Sequence, residues 1–298
     1  MSASSPNLRV RRMQFEFPDD VKAHWNPAKP ELSQVINACS LLMPYLEPFL
    51  IESIRMSLPH LPTEALRDEA TKYIGQEANH FRQHRRYNDL ILQQGYESLK
   101  AYEAQLADDY KRMRATKSMR YRLGYAAGFE TMALAIGHML VKHREFFFKG
   151  ADPAVSSLVL WHFVEELEHK TSAYNVYQAI YGKGLRGYLY RIYSGLSSNI
   201  HTLLRTRVAV LKLMEIDGMD KDPQAIKAFR KLTLKIFLWS LPKMLDGLMP
   251  WHKPERIKDP AWMAAWIEMY DASSASMAML DTSQLSQPIP VPLVETTA

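Results

Sequence analysis

Residues 161–170 read WHFVEELEHK, and residues 76–84 read QEANHFRQH. Each contains a Glu-x-x-His step, Glu166 to His169 and Glu77 to His80. Residues three apart on an α-helix share one face, a turn apart. His162 lies four residues before Glu166, and His84 four after His80, so each joins its stripe. The flanking residues are apolar, and a buried ionisable group is costly unless it is paired or bound to a metal. Two Glu-x-x-His helices, completed by one Glu from each of two further helices, form the ligand set of a di-metal carboxylate bundle.

The rest of the chain supplies the helices. After an irregular segment over 1–29, Pro27 and Pro30 set a helix start, and a helical apolar pattern runs over 32–56 to the Pro59/Pro62 turn. Thr63 caps the next helix, which runs to about 94 and stops at Gly95. A short, solvated helix follows over 98–111. The third long helix spans 117–148 and stops at Gly150. Asp152–Pro153 opens the fourth, which runs to 181. Four long helices with few strand signals predict an all-α bundle, with its core at about 32–181. Further helices are expected over 185–215, 223–248 and 260–269, making one domain over 30–271. The Ser-, Thr- and Pro-rich residues 272–298 read as a disordered tail.

The two remaining carboxylates are found by their surroundings. Glu47 has Met43, Pro44, Leu50, Ile51 and Ile54 at helical spacing, which is an apolar face. Glu52 is about 140° further round and reads as a surface ion pair with Arg55. Glu130 is the only acid between Asp109 and Glu145, among Ala126, Ala127, Ala133 and Ala135. Small neighbours leave room for a metal or a substrate. Glu69, Asp68 and Arg67 read as solvated. Glu166 is preferred to Glu165 because it repeats the Glu-x-x-His spacing, with Glu165 as its competitor. His84 and His162 are either extra ligands or groups that orient the ligands. His138 and His143 are left out, and Cys39 reads as a small core residue.

The metal follows from the donors. Four carboxylates neutralise the charge of two divalent ions, and imidazole suits Fe, Mn or Zn. A hydrolytic zinc site more often has three ligands and an open position. Glu47, Glu77, His80, Glu130, Glu166 and His169 are therefore the expected ligands of two metal ions, with Fe first and Mn or Zn as alternatives.

Composition narrows the classes. The chain has 298 residues, 47% of them hydrophobic, and a net charge of +5. A single cysteine excludes an intrachain disulfide and a cysteine-ligated cluster, and fits a reducing, cytoplasmic setting. No secretory signal and no run of about twenty uncharged apolar residues is read. No dense basic cluster marks a nucleic-acid surface. No Gly-rich dinucleotide fingerprint is present.

The order Glu47, Glu77-x-x-His80, Glu130, Glu166-x-x-His169 resembles the ferritin-like di-iron carboxylate superfamily. More narrowly, QEANHFRQH and WHFVEELEHK resemble the bacterial family described as predicted metal-dependent hydrolases. The resemblance covers about 30–215 and extends toward Pro254. His162 is similar to the third histidine of the arylamine N-oxygenase branch. The resemblance implies a di-iron oxygenase or oxidase that activates O2 to oxidise an apolar or lipid-like substrate, fed by an external reductase or ferredoxin. Two alternatives stand beside it. In one, a metal-activated water hydrolyses an ester, amide or phosphoester. In the other, the chain is a non-catalytic metal-binding helical protein.

One stretch lies outside the bundle pattern. Residues 232–251 read LTLKIFLWSLPKMLDGLMPW, apolar but interrupted by Lys235, Lys243 and Asp246, with Pro242 set to kink it. It reads as a helix covering the bundle or as a peripheral membrane-surface helix. A homodimer is a further option for assembly.

Overall fold

The structure is a computed structural model and describes residues 8–12, 14–18, 20–264, 266 and 279–286. The described residues are all-α and contain no strand. Helix α1 is Pro30–Ser57, α2 Glu64–Ile91, α3 Lys100–Thr116, α4 Met119–Lys142, α5 Arg144–Phe148, α6 Pro153–Glu168, α7 Ser172–Tyr181, α8 Gly184–Ile216 and α9 Pro223–Leu248.

Local chemistry sets these bounds. Proline occupies the first turn of α1, α6 and α9, where no backbone donor is lost. Thr63, Ser118, Asp152 and Asp222 accept hydrogen bonds from the first turns of α2, α4, α6 and α9. Gly95 and Gly150 have φ of 96° and 69°, the left-handed conformation that ends the runs before them.

Helices α1 and α2 lie along each other, and α4 packs on α6 and α7, so these segments enclose the core. Helix α8 covers α4 and α1, and α9 lies across α4. The α4–α8 crossing is close. A Cβ on Gly128 would stand 2.1 Å from the Cα of Gly195. One continuous stretch, Pro30–His60, is long and apolar enough to cross a membrane, but 67% of its apolar window is buried in the protein. It is a core helix that carries Glu47.

The fold departs from the sequence reading in five places. The expected single helix over 153–181 breaks at 169–171 between α6 and α7. Thr171 and Ser172 each donate to Glu69 Oε1 at 3.0 Å, so their hydroxyls hold the new helix start instead of facing an unbroken one. Glu69, read as solvated, is therefore buried. The third helix breaks at His143, whose ring stacks on Trp239 at 3.9 Å. Glu52 pairs with Arg114 at 2.7 Å and Arg122 at 3.0 Å, not with Arg55. In the tail, Leu280 and Leu285 are buried and Thr282 donates to the Ala151 carbonyl, so 279–286 is packed against the 150 turn. Of the helix expected over 260–269, Met263, Ala264 and Trp266 are helical and 265 and 267–269 lie outside the described residues, as does most of the tail.

The irregular N-terminal segment is a strap along α2. Gln76, Asn79 and Gln83 share one face of that helix. Gln76 donates to the Arg9 carbonyl, Asn79 to the Arg11 carbonyl, and Gln83 accepts from the Phe15 amide. Leu8, Phe15, Val21 and Trp25 are buried, so the strap adds to the core.

Candidate metal centre

The structure brings Glu47, Glu77, His80, Glu130, His162, Glu166 and His169 together in the middle of the helices. They form two groups, Glu47 with His80 and His162, and Glu77 with Glu130, Glu166 and His169. Within each group one ligand atom per residue lies within 4.8 Å of all the others. All seven residues are buried. Helix α1 contributes Glu47, α2 Glu77 and His80, α4 Glu130, and α6 His162 and Glu166. His169 is the residue that follows α6, at the break.

Two carboxylates join the groups. Glu166 Oε1 is 3.6 Å from His80 Nδ1 and 3.3 Å from His162 Nε2, while its Oε2 is 3.2 Å from His169 Nε2. Glu77 Oε1 is 3.2 Å from His169 Nε2 and 3.9 Å from His80 Nδ1. Glu130 Oε2 lies 3.4 Å from His169 Nε2.

The three imidazoles are held by their outer nitrogens. His80 Nε2 lies 3.1 Å from Glu165 Oε2, an acceptor only, so Nε2 carries the proton and Nδ1 turns its lone pair to the cluster. His169 Nδ1 lies 3.0 Å from Gln76 Oε1. The Gln76 amide nitrogen faces the Arg9 carbonyl and Glu168 Oε2, so its oxygen must face the histidine, and Nδ1 is the donor. For His162 the direction is set from further away. The Ser40 carbonyl accepts from Asn88 Nδ2, leaving Asn88 Oδ1 to accept from the Ser40 hydroxyl at 2.6 Å. That hydroxyl is then the acceptor for His84 Nδ1 at 2.8 Å, and His84 Nε2 accepts from His162 Nδ1 at 2.9 Å. The Nε2 lone pair of His162 is thereby free toward Glu166.

The remaining candidates fall one layer out. His84 orients His162. Glu165 holds His80 and is met by Arg11 at 3.1 Å, while Arg11 also grips Glu168 at 2.8 and 3.0 Å. Burial works against the Arg11 charge, but Glu168 and Glu165 outweigh it and hold its pKa above the usual arginine value. Tyr73 donates to Glu130 Oε1 at 2.7 Å and sits edge-on to His169. The sequence reading missed the roles of Arg11, Gln76 and Tyr73. Gln76 and Tyr73 stand one before and four before Glu77, a signal that helical spacing offered. Nothing in the sequence ties Arg11 to Glu165, 154 residues away.

The cluster's electrostatics need a cation. Burial raises the pKa of Glu47 and Glu77 well above the carboxylate range, with Glu166 adding repulsion. Burial lifts Glu166 to about 8 and Glu165 to about 7, the latter partly offset by Arg11. Burial lowers His80 and His162 and brings His84 to about 3, so these rings are neutral. His169 is the exception. Burial opposes its charge, but Glu166 and Glu130 prevail and hold its proton. Both oxygens of Glu47 and of Glu77, with Glu130 Oε2, Glu166 Oε1 and His80 Nδ1, are buried and make no hydrogen bond among the described residues. Buried polar atoms are rarely left so, and a cluster of them is explained by an ion or ordered water at that point. The donors fit two divalent ions, with four carboxylates to balance four positive charges and neutral nitrogens to complete the shells.

These features define an all-α protein with a buried carboxylate and histidine cluster built for metal. The chain belongs to the family described as predicted metal-dependent hydrolases, whose model matches residues 9–258. No curated protein and no solved structure is detectably similar to it.

Proposed function

We propose that the chain is a dinuclear metal-dependent enzyme. Glu47, His80 and His162 would hold one divalent ion and Glu77, Glu130, Glu166 and His169 the other, with Glu77 and Glu166 also facing the first group. The observation that carries this is the orientation of the imidazoles: three outer nitrogens tied to Glu165, His84 and Gln76, and three inner ones aimed at four buried carboxylates. This is the plan of ferritin-like di-metal bundles.

Hydrolysis of an ester, amide or phosphoester is the reaction that the family description supports. Bound ions supply Lewis acidity and acidify a water. The protein's own groups do the rest. Tyr73 holds a proton at Glu130 Oε1, and Arg11 and Glu168 seal the α6 end of the cluster. Gln76 and Glu165 keep the histidines in one tautomer. A crevice of about 20 Å³ lies between α4, α8 and α9, floored by Gly128, Thr131 and Met132, on the side of α4 turned away from Glu130. It holds about one water.

A second reading, oxidation of an apolar substrate by O2 at an iron pair, is favoured by the donor set itself. Hydrolytic zinc sites more often have three protein ligands and an open position. This reading needs an external electron donor. The lone cysteine supports a cytoplasmic setting for either.

The experiment compares the purified chain loaded with Zn, Mn or, anaerobically, Fe(II). Ester or phosphoester turnover with Zn or Mn, and none in the Glu77→Ala variant, supports hydrolysis. An oxygen-dependent absorption band and O2 uptake only with Fe supports oxidation. Metal binding with neither response makes the chain a metal-binding protein without catalysis.

A further inference from the structure

Helices α8 and α9 leave an apolar surface uncovered. On α8, Leu185, Leu189, Tyr193, Leu196, Ile200 and Leu203 are exposed, Leu185 at 71%. At 100° per residue these positions, with Leu204 and Leu211, fall within one arc of about 100°. The stripe runs over 185–211, about 39 Å. On α9, Leu234, Phe237, Leu238 and Leu245 are exposed in a second such arc, and Trp251 follows at 62%. The two stripes meet. Leu196 of the first and Met244 and Leu248 at the edge of the second line the same crevice over α4. Apolar patches of this extent mark interaction sites on a protein surface.

Charge identifies the occupant. Helix α8 has five Lys or Arg against one acid, Glu215, and α9 has five against one, Asp246. The two helices together exceed the net charge of +5 of the entire chain. Lys227, Arg230 and Lys231 continue the arc of Leu234 and Leu238 by one further turn or two toward the start of α9. They are exposed and make no ion pair among the described residues. A leucine, phenylalanine and tryptophan face flanked by lysine and arginine, with almost no acids, matches a surface of acyl chains under anionic headgroups. A second copy of the chain would bring two strongly positive faces together, which charge opposes.

We infer that the α8–α9 face docks on an anionic lipid surface. The two helices lie flat on it, with Trp251 and the 234–245 stripe in the interface and the Lys227 to Lys231 turn among the headgroups.

Sedimentation of the full chain with vesicles tests this. One set is phosphatidylcholine alone, and the other contains about 30% phosphatidylglycerol, a charge density at which each lysine or arginine contributes appreciably. The chain is expected to bind the anionic set and to release it at high salt. The variant Lys227→Glu/Arg230→Glu/Lys231→Glu is expected to bind roughly tenfold or more weakly. Leu189→Glu/Phe237→Glu is expected to lose binding with an unchanged helical circular-dichroism spectrum, since both side chains are exposed. No binding of the wild type, or equal binding to both vesicle sets, overturns the inference. So does a dimer in sedimentation velocity that Leu189→Glu/Phe237→Glu dissolves, because a second copy would then occupy the face. None of these readouts depends on the metal centre.

Discussion

Each cluster residue has two opposed effects on stability. Without metal, four carboxylates sit buried with seven of the cluster's atoms unpartnered. Replacing one carboxyl that the fold must either protonate or bury charged should then help the fold. Glu77→Gln is expected to stabilise the metal-free chain by about 1 kcal/mol or more, because it relieves a desolvated, repelled group. The same substitution should abolish the stabilisation that added metal gives. Thermal melts with and without chelator measure both, and a variant stabilised by metal as much as the wild type would falsify the ligand assignment. Metal affinity is also expected to rise with pH. Burial holds protons on Glu47, Glu77 and Glu166, and carboxylate neighbours hold one on His169, so binding must release them. Calorimetry in buffers of different ionisation enthalpy reads the protons released, and none released near neutral pH would contradict this.

At the scale of elements, the strap and the helix crossings carry the testable weight. Arg11 ties the strap to the cluster's outer layer, where it meets the Glu165 that holds His80. Arg11→Ala is expected to weaken metal binding about 10- to 100-fold, as loss of a group supporting a ligand usually does. At the α4–α8 crossing, Gly128→Leu must push the helices apart, at roughly 2–3 kcal/mol by urea denaturation. The other end of the strap is pinned by His24, 2.8 Å from Asp217. Its hydrogen bond to Asp217 raises the His24 pKa. Burial works against the Asp217 charge, but hydrogen bonds from His24, Tyr96 and Gln34 outweigh it and keep that carboxyl below its usual value. The histidine contribution is therefore present below about pH 6.5 and lost as pH rises through its folded value. His24→Gln should narrow the pH dependence accordingly, by under about 1 kcal/mol for a partly exposed pair. Equal urea midpoints for wild type and variant on the acid side would remove this account.

Across the whole molecule, what the sequence made legible was what lies within one helix. The spacing of Glu166 and His169 and the caps at Thr63 and Asp152 are local, and helix positions follow from them. The isolation of Glu130 among alanines is local too. The break at 169–171 was hidden because its cause, Glu69, comes from another helix. Glu165 and Glu166 could not be separated by periodicity alone, since about 100° of rotation divides them. Arg11 and the histidine relay through Ser40 and Asn88 decide the matter, and both depend on long-range packing. The exposed face of α8 was missed because its stripe has the same period as a buried one, and only the neighbours decide which.

The buried carboxylate and histidine cluster is proposed to hold two metal ions. Elemental analysis of the purified, reconstituted full chain, set against Glu77→Ala and Glu166→Ala, tests it most directly. Two divalent ions per wild-type chain are expected, with a loss of at least one in each variant and helical content retained. A folded wild type that takes up no metal, or variants that keep the full complement, would contradict it.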